Sequence, residues 1–290
     1  MFVQIVLSGL VVGSIYALVA LGFVVVYRSV AIFNFAQTEY YTLGGMLFAT
    51  LLSQYRMPVV LAVVLTMAVA AIVGILSERL AFRRLLLIGA RPANLIIVSL
   101  ALAIVLRSLV LLIWGTDARG VASIGNEPIA IAGLLITPQQ IFIMLATILA
   151  VAGLQAFLHR TRVGLALRAT ASNRTMAGLM GVPLTTMLAL SFALSAGIGA
   201  LGGILVAPIL LAQYSMGQAI LVKAFAAAIL GGLGSIQGVI AGGLVIGLTE
   251  NLAGAYLSAA YKDVVAFALL LAVLAVRPTG ILGRRAEEKV

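Results

Sequence analysis

Apolar residues run along this chain with few interruptions, and the first charge is Arg28. A membrane-crossing helix needs about 20 mostly apolar residues, because the hydrocarbon layer is about 30 Å thick and a helix rises about 1.5 Å per residue. By that measure the pattern predicts spans at residues 3–27, 37–54, 58–77, 94–114, 138–157, 184–211, 219–233, 236–256 and 263–277. Backbone groups in lipid must bond within their own segment, so the predicted class is an all-α polytopic membrane protein of about nine segments, with a range of eight to ten. The longest polar stretches, 78–93, 115–137 and 158–183, are too short to bury a core of their own. Residues 1–290 therefore read as a single transmembrane domain, with no convincing internal repeat.

Composition removes the alternatives. The chain is 63% hydrophobic and 9% charged, whereas a soluble domain carries about 25% charged residues. That excludes a soluble enzyme, which needs a solvated surface, and it excludes disorder, which needs low hydrophobicity. No Cys and one His leave no thiolate site and too few ligands for zinc. No catalytic residue and no metal site is expected.

The net charge of +10 reports orientation. Segment 78–93 holds Arg79, Arg83, Arg84 and Arg91 against Glu78. Segment 158–183 holds Arg160, Arg162, Arg168 and Arg174 without an acid. The tail holds Arg277, Arg284, Arg285 and Lys289 against Glu287 and Glu288, while loop 115–137, with Asp117, Arg119 and Glu127, is slightly acidic. Basic loops stay cytoplasmic, so the amino terminus is expected outside and the carboxyl terminus inside, which requires an odd number of crossings. Trp114, Tyr55, Tyr214, Tyr256 and Tyr261 then fall at outer boundaries and Tyr27 at an inner one. The first segment lacks a basic lead and runs too long for a signal peptide, so it is expected to be retained.

Small residues four apart let membrane helices approach closely. Such ladders occur at Gly9, Gly13 and Ala17, at Ser195, Gly199, Gly203 and Ala207, and at Gly234, Gly238 and Gly242, with a second stripe at Gly243 and Gly247. They serve either ordinary bundle packing or an interface that moves or meets a partner. The glycine-rich segment 230–238 resembles a phosphate loop only superficially. None of Lys223, Lys262 and Lys289 follows a Gly, so no Walker A motif is present. A tight turn, or a broken helix lining a cavity, is expected there.

Ionisable groups inside a span are default candidates for function. Lys223 and Glu250 are equidistant from a turn near 236–237, so an antiparallel hairpin would bring them to equal depth as an ion pair. The pair is either structural, or Glu250 lines a translocation route along the stripe Gly243, Gly247, Glu250 and Gly254. Asn34, three residues before Gln37, fits a capping box, and Glu39 suits a helix start; the same residues also suit a route. Arg107 is expected to snorkel to the headgroups, and His159 to be solvated at an inner boundary. The path candidates are thus Tyr16, Asn34, Gln37, Glu39 and Glu250.

In the loop 158–183, Ser172 is expected to cap a short helix over 173–180, Gly181 to end it and Pro183 to start the next span. A short basic, partly apolar helix suits docking to a soluble partner, or a headgroup-facing connector.

Three motifs carry a resemblance: Asn34-Phe-Ala-Gln-Thr-Glu39; the loop with Arg168-Ala169, Asn173, Ala177 and Leu179-Met180-Gly181; and the run from Leu230 to Glu250. Together with Arg277-Pro-Thr-Gly-Ile-Leu-Gly283, the chain is similar over nearly its whole length to LivH-type permeases, membrane subunits of ABC importers for branched-chain amino acids. It carries Gln37-Thr38 where many members carry His-Gly, a departure that bears on substrate more than on architecture.

The resemblance implies a bacterial inner-membrane protein that is not an enzyme. Its partners would be a second, similar permease, two cytoplasmic ATPases that use the ATP, and a periplasmic substrate-binding protein; this chain itself would bind no cofactor and no nucleic acid. Arg168, Ser172, Asn173, Arg174, Met176, Leu179 and Met180 would form the ATPase-coupling loop. Relatives carry amino acids, amides or urea. A rival from the residues alone is a self-contained secondary transporter or channel using Lys223, Glu250 and Glu39 as an ion or proton relay. An intramembrane protease lacks support, since no Gly-x-Gly-Asp motif is present.

Overall fold

The computed structural model describes residues 2–121, 123, 125, 128–131, 134–258, 260–277 and 279–283. Glu127, Pro278, Arg284, Arg285, Glu287, Glu288 and Lys289, weighed above, lie outside the described residues. The helices are α1 (Phe2–Val30), α2 (Gln37–Ser53), α3 (Val59–Ser77), α4 (Arg83–Leu87), α5 (Pro92–Trp114), α6 (Pro138–Arg160), α7 (Arg162–Ser172), α8 (Arg174–Leu179), α9 (Leu184–Leu210), α10 (Met216–Gly231), α11 (Ile236–Tyr256) and α12 (Lys262–Val276).

Every predicted span has its helix. Among the described residues six, α1, α3 continued through α4, α5, α6, α9 and α11, are long and apolar enough to cross a membrane. The remaining three, α2, α10 and α12, have 17, 16 and 15 residues. The chain is a multi-pass all-α membrane protein.

The loops differ from expectation. A π-helical turn, Glu78–Phe82, joins α3 to α4, so much of the 78–93 segment is helical. The 115–137 loop holds a small antiparallel hairpin, β1 (Ile129–Ile131) with β2 (Leu134–Ile136). Each strand is three apolar residues long, too short for a pattern read over helical windows to register.

The chain divides into two compact units, Met1–Val24 with Ile124–Thr147 and Val222–Val290, and Val25–Ser123 with Ile148–Leu221. In the first, the two glycine stripes of α11 face two different helices. Gly243 and Gly247 meet Ala17 and Gly13 of α1, and a Cβ on Gly13 would lie 2.8 Å from Leu244 Cα. Gly238 and Gly242 meet Gly231 and Ala227 of α10 so closely that a Cβ would overlap the backbone. The turn between α10 and α11 passes through Gly232 at φ +96°, a region that side chains with a Cβ rarely adopt, and Ser235 caps α11 by accepting from Gly238 N at 3.0 Å.

In the second unit α9 is the axis, packed by α2 and α3. Gly44 and Gly203 sit against backbone across the α2–α9 contact, and Gly74 against Phe192 and Ala196. The buried face of α3 is Ala62, Thr66, Ala70, Gly74 and Ser77, small residues mostly at every fourth position, while Val60, Val64 and Ile72 are exposed. This inverts soluble packing: close backbone approach drives the contact, and the large aliphatics are left for lipid. An aromatic core closes one end, with the Phe82 and Phe192 rings 4.9 Å apart among Val26, Ile32 and Leu95.

Two caps differ from expectation. The residue before α2 is Ala36, with no side-chain cap; Asn34 instead accepts from Ala36 N at 3.2 Å. Asn173, not Ser172, caps α8, accepting from Met176 N at 3.0 Å, because Ser172 is still the last residue of α7. Gly181 does turn the chain at φ +81°, and α9 starts directly after Pro183.

Candidate functional site

In the first unit four helices deliver polar groups to one cluster. The hairpin of α10 and α11 sets Lys223 beside Glu250, but its turn lies between Gly231 and Ile236 instead of at 236–237. Glu250 therefore stands farther from the turn than Lys223, and the long lysine chain spans the difference. Lys223 Nζ donates to Glu250 Oε1 at 2.6 Å. Tyr16 of α1 donates its hydroxyl to Glu250 Oε2 at 2.6 Å, so both carboxylate oxygens are held. Lys223 Nζ also lies 5.9 Å from the centre of the Tyr16 ring, within cation–π range.

Lys262 and Asp263, the first residues of α12, complete the cluster. Asp263 Oδ1 is 2.9 Å from Lys223 Nζ, and Lys262 Nζ is 3.6 Å from Glu250 Oε1. Two ammonium groups and two carboxylates balance, which is what lets them sit at a membrane helix bundle. Exposure is graded: the side chains of Glu250 and Lys223 are 7% and 15% accessible, those of Lys262 and Asp263 45% and 50%. The sequence reading missed these last two residues because it placed them at a span boundary. Adjacent opposite charges at the start of a helix that packs back on α11 were the available signal.

In the second unit the start of α2 builds a separate polar patch. Gln37 Nε2 donates to the Ser195 carbonyl at 3.0 Å, and Ser195 Oγ donates back to Gln37 Oε1. Gln37 is therefore engaged with α9 and does not form a capping box with Asn34. Gly199 leaves room for that amide; a Cβ there would lie 2.8 Å from Gln37 Nε2. Glu39, 2% accessible, has Oε1 3.4 Å from Arg107 Nε. Arg107, expected at the headgroups, is engaged within the protein: beside its contact with Glu39, its Nη1 donates to Gln218 Oε1 at 2.8 Å. Thr38 Oγ1 and Glu39 Oε2 are buried and meet no hydrogen-bond partner among the described residues.

The path candidates thus fall into two groups, Tyr16 with Glu250 and Lys223, and Asn34 with Gln37 and Glu39 near Ser195. The loop candidates lie on α7 and α8 and on the residues that cap α8, Asn173 and Met180. Arg168 is half-buried, Ser172 and Asn173 are exposed, and burial pushes the Arg174 guanidinium below its ordinary value. Met176, Leu179 and Met180 are 55%, 77% and 83% exposed, an apolar edge on a six-residue helix. His159 is exposed, its ring nitrogen 2.9 Å from the Gln155 carbonyl.

The family described as branched-chain amino acid transport system / permease component matches residues 5–274. The chain is 35% identical to the high-affinity branched-chain amino acid transport system permease protein LivH of Escherichia coli (strain K12), covering 100% of this chain and 98% of that one. It is equally 35% identical to the permease protein BraD of Pseudomonas aeruginosa, with the same coverage. It is 29% identical to a probable LivH of Methanocaldococcus jannaschii, covering 97% and 92%. With the family match over residues 5–274 and 35% identity from end to end, the chain belongs to the branched-chain amino acid transport permease family.

Proposed function

We propose that the chain is the membrane-spanning permease subunit of an ABC importer. It carries branched-chain or related hydrophobic amino acids across the inner membrane, driven by separate ATPase subunits. The observation that carries this reading is end-to-end similarity to permeases named for branched-chain amino acid transport. All nine apolar helices cross, amino terminus outside and carboxyl terminus inside, which puts Arg79, Arg83, Arg84, Arg91, Arg160, Arg162, Arg168 and Arg174 on the cytoplasmic face.

The chain acts as one permease domain, beside a second permease of similar fold. A periplasmic binding protein supplies the substrate. ATP is hydrolysed by two cytoplasmic partners, in keeping with the lack of a Gly-Lys-Ser/Thr run here. Those partners grip α7 and α8, whose exposed Met176, Leu179 and Met180 offer an apolar contact among arginines. Tyr16, Asn34, Gln37, Glu39 and Glu250 line the route, since buried polar groups inside spans are retained where something polar must pass.

Purification from the native membrane, followed by mass spectrometry of the co-purifying chains, tests this. A second permease and an ATPase subunit should accompany the chain in stoichiometric amounts. A chain that purifies alone and transports alone would contradict the reading.

A further inference from the structure

We propose that Lys262 and Asp263 form a docking point for the paired charges of a free α-amino acid, the carboxylate on Lys262 and the ammonium on Asp263. The inference rests on the amino-acid import proposed above and deepens it. It starts from an asymmetry in the charged cluster. Glu250 is over-supplied, its Oε1 facing Lys223 at 2.6 Å and Lys262 at 3.6 Å and its Oε2 holding Tyr16 at 2.6 Å. Lys223 in turn faces two carboxylates, with Asp263 Oδ1 at 2.9 Å.

One rearrangement leaves every charge compensated. Lys223 keeps Glu250 and gives up Asp263. Lys262, already beyond hydrogen-bond distance from Glu250, turns to solvent. That frees one cation and one anion on consecutive residues, each already about half accessible, while the less accessible Glu250 and Lys223 stay paired. A zwitterion arriving there replaces the partners the two residues release, so neither its charges nor the protein's are buried unpaired. A monovalent acid or amine satisfies one of the two and leaves the other open, which gives discrimination by an unmet partner. Lys223 and Glu250 alone complete the buried lock between α10 and α11. The further pair joins α12 to that lock from its accessible edge, where one residue of each charge meets solvent.

The test is leucine binding to the assembled transporter in lipid nanodiscs, without binding protein, by isothermal titration. Leucine, leucinamide and 4-methylpentanoate are the probes. The unsubstituted transporter should bind leucine best. Asp263→Asn should weaken leucine by about tenfold, as expected for losing one charge-assisted hydrogen bond, and erase its advantage over 4-methylpentanoate. Lys262→Gln should do the same against leucinamide. Lys262→Arg should keep both affinity and preference, and thermal melting should show all three variants folded.

No measurable leucine binding by the unsubstituted transporter, or variants that keep their preferences with affinities within twofold, would overturn the docking point. If that same transporter still takes up leucine once binding protein is added, the import function stands and only the docking point fails. Uptake of no α-amino acid at all would overturn both.

Discussion

Lys223 Nζ and Glu250 Oε1 lie 2.6 Å apart across the α10–α11 hairpin, joined from positions 27 residues apart. Removing the cation leaves a carboxylate that is only 7% accessible. Breaking a buried pair costs about 3–5 kcal/mol, and Lys223→Ala should fall at the lower end because Lys262 stands 3.6 Å away as a substitute. Thermal denaturation in detergent measures this. The double variant Lys223→Ala with Lys262→Ala should lose more than the sum of the single losses. Simple additivity would show that Lys262 does not back up the pair.

Close backbone approach between α1 and α11 makes a second prediction. A Cβ on Gly13 meets Leu244 Cα at 2.8 Å and Gly243 O at 2.9 Å, both backbone and unable to move aside. Gly13→Ala should destabilise by about 1–3 kcal/mol through overpacking. Gly153 of α6 has nothing within 4 Å, so Gly153→Ala should be neutral or stabilising by up to about 1 kcal/mol. Equal melting temperatures for the two variants would contradict the packing described.

The contact between α2 and α9 supplies a third. Ser195 Oγ donates to Gln37 Oε1, and Gln37 is fully buried. Ser195→Ala removes that donor and should cost about 1–3 kcal/mol, the penalty for an unmet buried acceptor. Gln37→Leu should show non-additive coupling with it in a double-mutant cycle. Independent effects would mean the amide finds another partner.

The apolar edge of α8 can be separated from stability. Leu179 and Met180 are 77% and 83% exposed, so Leu179→Asp and Met180→Asp should change stability by no more than about 0.5 kcal/mol. Both should nevertheless reduce co-purification of the ATPase subunit severalfold. Retained ATPase in both variants would place the coupling contact elsewhere.

What could be read from the sequence followed from periodicity and spacing. The nine apolar helices were legible because lipid demands long apolar runs, and the Lys223–Glu250 pairing because the two segments form a hairpin, although its turn falls nearer Lys223 than the spacing suggested. The two faces of α11 were visible as stripes, though which helix each would meet was not, since that depends on packing between distant segments. The Asn34–Gln37 cap failed for a tertiary reason: Ser195, 158 residues from Gln37, offers the amide two hydrogen bonds that a local cap cannot match. The partners of Arg107, Glu39 and Gln218, were hidden for the same reason, since both lie far off in sequence. The small-residue face of α3 was overlooked because Thr66 and Ser77 interrupt the run of Gly and Ala.

The most direct measurement of the central claim is leucine uptake into proteoliposomes holding the chain with its co-purified subunits and binding protein, with and without ATP. Uptake that requires ATP, and that stops when the ATPase subunit is omitted, is the predicted result. Uptake at the same rate by the chain alone, without nucleotide, would contradict it.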